Sequence, residues 1–210
     1  IAIVQDASDS ALTAQAHQGA LSALHDTPYA LSLFAAEPGS PYLLADLRNY
    51  LERHRPAGVI LLPPLSSNLA LSALCRELGC KPICITPDAP NGEDYLCSND
   101  RQVAADATNY LIALGHQRIG FIAGPDNCRA SRERELGYID ALAEHELDRG
   151  ADLVATSDGS FSASKAAARL LLQVSPRPTA IFAASDEMAA GAIHVAHELV
   201  ISVPGELSVI

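Results

Sequence analysis

The chain is poor in aromatic residues, which make up 5% of its 210 residues, and it has no tryptophan and one methionine. It also lacks any stretch near the ~20 consecutive apolar residues that a membrane-spanning helix needs. The hydrophobic fraction of 49% is rich in Ala and Leu, which is ordinary for α/β proteins. We therefore expect neither a membrane span nor a membrane partner.

Basic residues are scarce as well. Lys and Arg number 14 against 25 Asp and Glu, which gives a net charge of −11 and a pI of about 4.9. A surface with this charge repels a phosphate backbone rather than attracting it. If the whole protein binds DNA, another segment has to make that contact.

The cysteines form no metal-binding or disulfide pattern. The five are odd in number and include no CxxC pair: Cys75, Cys80, Cys84, Cys97 and Cys128. This usage favours a reducing compartment, with the thiols packed as small apolar groups. We therefore expect no metal site.

Familiar catalytic motifs are missing too. The chain has no GxSxG elbow, no P-loop and no GxGxxG fingerprint. His194 and His197 lie three positions apart, whereas a zincin helix needs two histidines four apart with a glutamate between them. No proton-transfer pair can be nominated. The sequence thus predicts no catalytic residue and no cofactor, and it disfavours an α/β enzyme such as a sugar-modifying transferase.

What the chain does contain is a regular alternation of strand and helix patterns. The predicted strands are 1–4, 29–35, 57–62, 82–86, 118–123, 151–155, 179–184 and 207–210. The predicted helices are 10–25, 41–54, 68–78, 101–114, 130–145, 162–174 and 187–199. Such alternation predicts an α/β fold of the doubly wound type, with parallel sheets covered by helices on both faces.

The number of strands indicates two lobes rather than one wide sheet. We place the change of lobe near Gly115-His116, with an N-terminal lobe at 1–116 and a C-terminal lobe at 117–210. The chain starts inside one strand pattern without Met and stops inside another. We expect it to be a piece of a longer polypeptide, truncated at the C-terminus.

Local features support these helix boundaries. Gly79 and Gly115 follow helical runs as left-handed C-caps do, and Ser162 and Asp186 are expected N-caps. Gly191 lies inside the last helix, where glycine costs about 1 kcal/mol relative to alanine. We expect close packing of that helix against the sheet to offset this cost.

Polar residues follow the predicted strands, at the edge where open parallel sheets bind their ligands. Ser185 and Asp186 follow strand 179–184, and Arg134 lies in the helix after strand 118–123. The planar guanidinium offers a fork of donors that suits hydroxyls, carboxylates or phosphates. We expect these three residues to face a common small molecule, although a simple helix cap explains Asp186 equally well when it is taken alone.

Further candidates lie at other strand ends or just before helices. They are Asp6, Asp9, Ser66, Asn99, Asp100 and Phe161. Asn99 and Asp100 are either helix caps or acceptors of ligand hydroxyl protons. The Phe161 ring, on a polar loop, either stacks on a ligand face or covers core.

Four segments resemble the effector-binding core of the LacI/GalR family of bacterial transcriptional regulators. They are LGHQRIGFIAG (114–124), RELGY (134–138), PTAIFAASDEMAAGA (178–192) and VPGELSVI (203–210). One such motif is weak, whereas four in the family's order and spacing are specific. The similarity runs over nearly all of the chain.

The resemblance implies a type I periplasmic-binding-protein-like fold with a sugar- or nucleoside-like effector between two lobes. It also implies a homodimer, a cytoplasmic location, and operator DNA binding through an N-terminal helix-turn-helix that is absent from this chain. The family's effector-contacting positions fall on Asn99, Asp100, Arg134, Phe161, Ser185 and Asp186.

The chain departs from the family pattern at three places, one of which is the acidic segment that the family places after Val209-Ile210 and that is missing here. Family members usually carry an Asn-Pro-aromatic motif after the first strand, where this chain has Asp9-Ser10-Ala11-Leu12. Ser185 replaces the asparagine that commonly precedes Asp186, and it reaches less far. A periplasmic sugar-binding receptor of a transporter is the second interpretation, because it shares the fold. An upstream signal peptide favours that receptor, and an upstream helix-turn-helix excludes it.

Overall fold

The structure is a computed structural model that describes residues 1–7, 11–86, 94–126 and 128–210. Within these ranges the chain forms two compact units, Ile1–Ser98 and Asn99–Ile210. Each unit is a parallel β-sheet with helices packed against it, so the predicted α/β class and the two parallel sheets are confirmed. None of the helices in the described ranges combines the length and apolarity that crossing a bilayer requires.

The first unit is built on a five-stranded sheet. Its strands are β1 (Ala2–Asp6), β2 (Ser32–Ala36), β3 (Gly58–Leu61), β4 (Lys81–Ile85) and β5 (Tyr95–Leu96). Its helices are α1 (Ala11–Leu24), α2 (Leu43–His54) and α3 (Leu69–Glu77), with a 3-10 turn at Leu65–Ser67. The strand order is β2-β1-β3-β4-β5, and every neighbouring pair is parallel. The sheet therefore grows in both directions from β1, which defines a doubly wound sheet.

The second unit repeats this plan with four strands. Its strands are β6 (Ile119–Ala123), β7 (Val154–Thr156), β8 (Ala180–Ala183) and β9 (Ser208–Val209). Its helices are α4 (Asp100–Ala113), α5 (Arg129–Glu144), α6 (Phe161–Gln173) and α7 (Asp186–Glu198), with a 3-10 turn at Ala151–Leu153. The order β7-β6-β8-β9 is parallel throughout, so β6 is the strand from which the sheet grows both ways.

Aromatic packing marks the core of the second unit. The Phe121 ring stacks on Tyr138 with centroids 4.9 Å apart and lies 5.2 Å from Phe182. Tyr138 is fully buried, and its hydroxyl donates to the Ile119 carbonyl at 2.8 Å. That bond satisfies the polar end of a side chain that otherwise contributes apolar area.

Two glycines allow helices of the second unit to pack closely. A Cβ on Gly137 would lie 2.0 Å from the Arg101 carbonyl oxygen, so α5 and α4 meet backbone to backbone. A Cβ on Gly191 would lie 2.8 Å from the Ser164 Cβ. The predicted close packing at Gly191 is therefore found, but its partner is helix α6 and not the sheet.

The predicted boundaries agree with the structure to within a few residues, except for β5, which the sequence pattern missed. Gly79 and Gly115 have φ angles of 77° and 93°, so both left-handed positions are confirmed.

The N-cap predictions are wrong. Ser160 caps α6 in place of Ser162, since its hydroxyl accepts from the Ala163 amide.

Helix α7 likewise has its cap one residue before the predicted one. Its N-cap is Ser185, whose hydroxyl accepts from the Met188 amide, and Asp186 is the first helical residue.

Helix α4 groups with the second compact unit because it packs along α5. The sequence-based change of lobe near residue 116 lies at the end of that helix.

Candidate ligand-binding site

The carboxyl ends of β6, β7 and β8 share one edge of the second sheet, because the three strands are parallel neighbours. Helices α5, α6 and α7 each begin just beyond one of these strand ends. The first turn of α4 reaches the same edge through its contact with α5. Side chains from four helices and three strand ends therefore converge there.

Arg134 connects three of these elements. Its Nε donates to Asp100 Oδ1 at 2.9 Å, and its Nη2 lies 2.8 Å from the same oxygen. Its Nη1 donates to the carbonyl oxygen of Ala184 at 2.6 Å, directly after β8. The arginine thus ties the start of α4 to α5 and to the end of β8.

The guanidinium retains hydrogen-bonding capacity after these contacts. It carries five N–H groups. Within the described residues, Asp100 lies against Nε and Nη2 and the Ala184 carbonyl against Nη1, which leaves at least one N–H on Nη1 and one on Nη2. The Arg134 side chain is 36% exposed, whereas the Asp100 side chain is 7% exposed. Arg134 can meet a ligand from solvent, and Asp100 lies behind it.

Ser185 and Asp186 directly follow Ala184, whose carbonyl accepts from Arg134. The Ser185 hydroxyl is already engaged as the cap of α7. The Asp186 side chain is exposed in the first turn of that helix. Of these two predicted residues, Asp186 is therefore the one whose polar group is exposed for a ligand hydroxyl.

Asn99 acts as the N-cap of α4, with its Oδ1 accepting from the Gln102 amide at 3.4 Å. Of the two roles predicted for Asn99, the structure thus shows the helix cap. Phe161 is the first residue of α6 rather than a loop residue, and it is 37% exposed. Its ring meets the His194 ring at 5.5 Å, and Lys165 Nζ lies 5.4 Å from its centroid. The contacts of Phe161 are thus with side chains of α6 and α7.

The remaining predicted residues belong to the first unit or lie outside the described residues. Asp6 is the last residue of β1. Ser66 lies in the 3-10 turn after β3 and is 2% exposed, and within the described ranges its hydroxyl has no hydrogen-bond partner. Asp9 lies outside the described residues. Asp6 and Ser66 remain predictions about a ligand.

Sequence reasoning missed a group of buried serines at the edge of the second sheet. Ser157 follows β7, and its hydroxyl lies 3.0 Å from that of Ser164, which is fully buried in α6. A Cβ on Gly124, after β6, would lie 2.3 Å from the Ser131 hydroxyl. The Thr156-Ser-Asp-Gly run carried the signal, because small polar residues directly after a strand mark such an edge.

Hydrogen bonds also tune acidity here. Bonds from the Ser160 side chain and backbone lower the pKa of the Asp158 carboxyl, because they favour its ionised form. Within the described part of the chain, no three His, Cys, Asp or Glu side chains are grouped so that they could hold a metal ion.

Comparison with known proteins places this geometry in a family. A family model described as a periplasmic binding protein-like domain matches residues 108–210. The HTH-type transcriptional repressor CytR of Escherichia coli K12 is 40% identical over 107 residues, which cover 51% of this chain and 31% of CytR. The HTH-type transcriptional regulator GalR of Salmonella typhimurium LT2 is 33% identical over 162 residues, which cover 76% of this chain and 47% of GalR.

A solved structure extends the likeness to both units. The complex of the transcriptional regulator CelR with cellobiose matches with a TM-score of 0.80 and 28% identity, over 99% of this chain and 66% of that one. The chain belongs to the LacI/GalR family. This LacI/GalR chain spans less than half the length of the two curated relatives. Those relatives are transcriptional regulators and not enzymes.

Proposed function

We propose that this chain is the effector-sensing and dimerisation part of a bacterial LacI/GalR-type transcriptional regulator. In this proposal a small sugar or nucleoside-like ligand binds between the two lobes and changes operator affinity. DNA contact is made by an N-terminal helix-turn-helix domain outside this chain, and the regulator acts in the cytoplasm as a homodimer. The chain binds its ligand without converting it.

The arrangement of Arg134 supports this proposal most strongly. Its guanidinium is held at the carboxyl edge of a parallel sheet with two N–H groups to spare, and the exposed Asp186 lies two positions after Ala184, whose carbonyl accepts from it. Donors and acceptors side by side suit vicinal hydroxyls, which both donate and accept. CelR, a similar protein, was solved with a disaccharide, which favours a sugar-like ligand here.

Two further features agree with a ligand sensor that controls a separate DNA-binding domain. The net charge of −11 is consistent with such a domain, because this chain repels phosphate and another segment has to contact DNA if the whole protein binds it. The names of CytR and GalR describe regulators of the helix-turn-helix type. Ligand binding regulates such a protein only as far as the ligand prefers one arrangement of the lobes over the other.

A thermal-shift screen of sugars and nucleosides against the purified chain tests the proposal. A ligand at a hundred times its dissociation constant adds about 2.7 kcal/mol of stability. Calorimetry with the best ligand then compares the wild type with Arg134→Gln and Asp186→Asn. Both variants are expected to weaken binding while the fold persists.

Arg132→Gln is the matched control, because Arg132 lies on the same helix two positions earlier and donates to the Asp126 carbonyl. It should bind as the wild type does. Unchanged affinity in both site variants would contradict the assignment of the site. No stabilisation by any sugar or nucleoside would count against the proposed ligand class.

A further inference from the structure

We propose that Asp100 is a positioning residue that makes this site selective for electrically neutral ligands. The inference rests on the proposed function, because it concerns the ligand of the same site. The family resemblance implies that Asp100 touches the ligand directly. Its surroundings assign it a different role, exerted through Arg134.

Asp100 is buried. A side chain that is 7% exposed offers little of its carboxylate to a ligand arriving from solvent. A buried carboxylate is tolerated when an opposite charge and hydrogen bonds compensate its lost hydration. Arg134 supplies both, through Nε and Nη2 on the same carboxylate oxygen.

This burial also determines how Arg134 can act on a ligand. Its orientation is set from two sides, by Asp100 and by the Ala184 carbonyl. Its positive charge is compensated by the Asp100 carboxylate, which accepts a hydrogen bond from Nε at 2.9 Å. The two spare N–H groups therefore act as oriented donors on a nearly neutral ion pair. A ligand hydroxyl accepts from them without penalty, whereas a ligand carboxylate or phosphate is repelled by Asp100 at short range.

The other charged groups at this edge act in the same direction. Asp186 and Glu187 place two carboxylates in the first turn of α7, and Asp158 adds a third after β7. In the first turn of α6 the Ala163 amide donates to Ser160, and in that of α7 the Met188 amide donates to Ser185, so one amide of each helix is already used that could otherwise attract an anion. Removing the charge of Asp100 should therefore turn Arg134 into an anion-binding group.

Inorganic phosphate is the probe for this step, because it does not depend on knowing the effector. Thermal unfolding is measured with phosphate or with chloride at equal ionic strength, for wild type, Asp100→Asn and the double variant Asp100→Asn/Arg134→Gln. Phosphate is expected to raise the melting temperature of Asp100→Asn alone. Equal responses of wild type and Asp100→Asn, whether both rise or both stay flat, would overturn the proposal.

A measurement on the wild type covers the case in which Asp100→Asn folds poorly. The Arg134 Nε–H resonance is assigned by its loss in Arg134→Gln. Its proton is expected to exchange slowly with solvent, and its chemical shift should not change as phosphate is added. A resonance that exchanges freely, or that moves with phosphate, would contradict a guanidinium locked and neutralised by Asp100.

A matched pair of sugars ties the selectivity to the effector site. Galactose and galacturonate differ by a neutral CH₂OH against a carboxylate on the same ring. Asp100→Asn is expected to shift the affinity ratio toward galacturonate by about tenfold or more, since charge-assisted hydrogen bonds are roughly twice as strong as neutral ones. A purely structural Asp100 would lower both affinities alike, which refutes selectivity. If neither sugar binds, the proposed ligand class is in question while the phosphate result still decides the role of Asp100.

Discussion

Gly137 of α5 lies against the backbone of Arg101 in α4 so closely that a Cβ would come within 2.0 Å of the Arg101 carbonyl oxygen. One turn earlier on α5, Arg134 meets Asp100, the residue that precedes Arg101. The glycine therefore sets the helix separation at which the buried carboxylate and the guanidinium form their ion pair.

Gly137→Ala is expected to destabilise the fold by about 3 kcal/mol, at the upper end of what overpacking costs, because the obstructing atom is backbone. Urea unfolding measures this change. Gly19→Ala is the control, since Gly19 lies within α1 with nothing within 4 Å of the added methyl group and should gain about 0.5–1 kcal/mol. A Gly137→Ala protein as stable as the wild type would show that α4 moves away freely.

Val200 adopts a left-handed backbone conformation, with a φ of 59°, just beyond α7 and with 89% of its surface exposed. A β-branched residue is strained there, by roughly 1–2 kcal/mol. Val200→Gly is expected to stabilise the fold by about 1 kcal/mol in urea unfolding, since little packing is lost.

The neighbouring Leu199 provides the comparison for this prediction. Its φ of −88° is ordinary, and its side chain is also exposed. Leu199→Gly should therefore lose stability while Val200→Gly gains it. Equal losses in the two variants would argue against strain at Val200.

Burial raises the pKa of the Tyr138 phenol above its ordinary value of 10.0. Because the pKa of Tyr138 is higher in the folded than in the unfolded state, its neutral phenol contributes to folding stability. This contribution is complete below pH ~10 and is lost as pH rises toward the folded-state pKa. Tyr138→Phe is expected to cost about 1 kcal/mol at neutral pH through loss of the bond to the Ile119 carbonyl.

The alkaline side of the profile then distinguishes the two proteins. The stability of Tyr138→Phe should fall less steeply than that of the wild type above pH ~10. Phenylalanine does not ionise, so this position no longer binds protons differently in the folded and unfolded states. Urea unfolding across that range measures the slopes. Parallel slopes would mean that Tyr138 ionises in the folded protein as easily as an exposed tyrosine.

Arg101 forms a two-point ion pair with Asp140 across α4 and α5, at 2.6 and 2.9 Å. The hydrogen bond from Arg101 lowers the pKa of the Asp140 carboxyl below its ordinary 3.8. The pair thus adds stability above that pH and loses it as pH falls through the depressed value. Arg101→Gln should raise the Asp140 midpoint in an NMR titration. An unchanged midpoint would show that solvent screens this exposed pair.

Much of the architecture was accessible from apolar periodicity. The continuous buried run at Ile119–Ala123 predicts a central parallel strand, and the structure has it there with every residue buried. Strand β5 was not predicted because Tyr95–Leu96 is two residues long and exposed, so the sequence has no apolar run at this position. The caps were misplaced by one or two residues because Ser160, Ser162, Ser185 and Asp186 have similar capping propensity, and only backbone geometry decides among them.

The candidate site was predictable in place but not in detail. Motif order along the chain identified Asp100, Arg134, Ser185 and Asp186, and all four lie at one edge of the second sheet. Which of them bind each other was not predictable, because Asp100 and Arg134 are 34 positions apart and their pairing depends on how α4 packs on α5.

The amino-acid sequence alone determined the class of fold, the strand and helix order and the acidic character of this LacI/GalR chain, because these follow from local periodicity and composition. Tertiary structure decided that Ser185 caps a helix, that Asp186 stays exposed and that Asp100 is buried behind Arg134. The physical reason is that burial and hydrogen-bond partnership are properties of side chains brought together from distant positions. A carboxylate becomes a ligand contact or a hidden counter-charge only when helices pack around it.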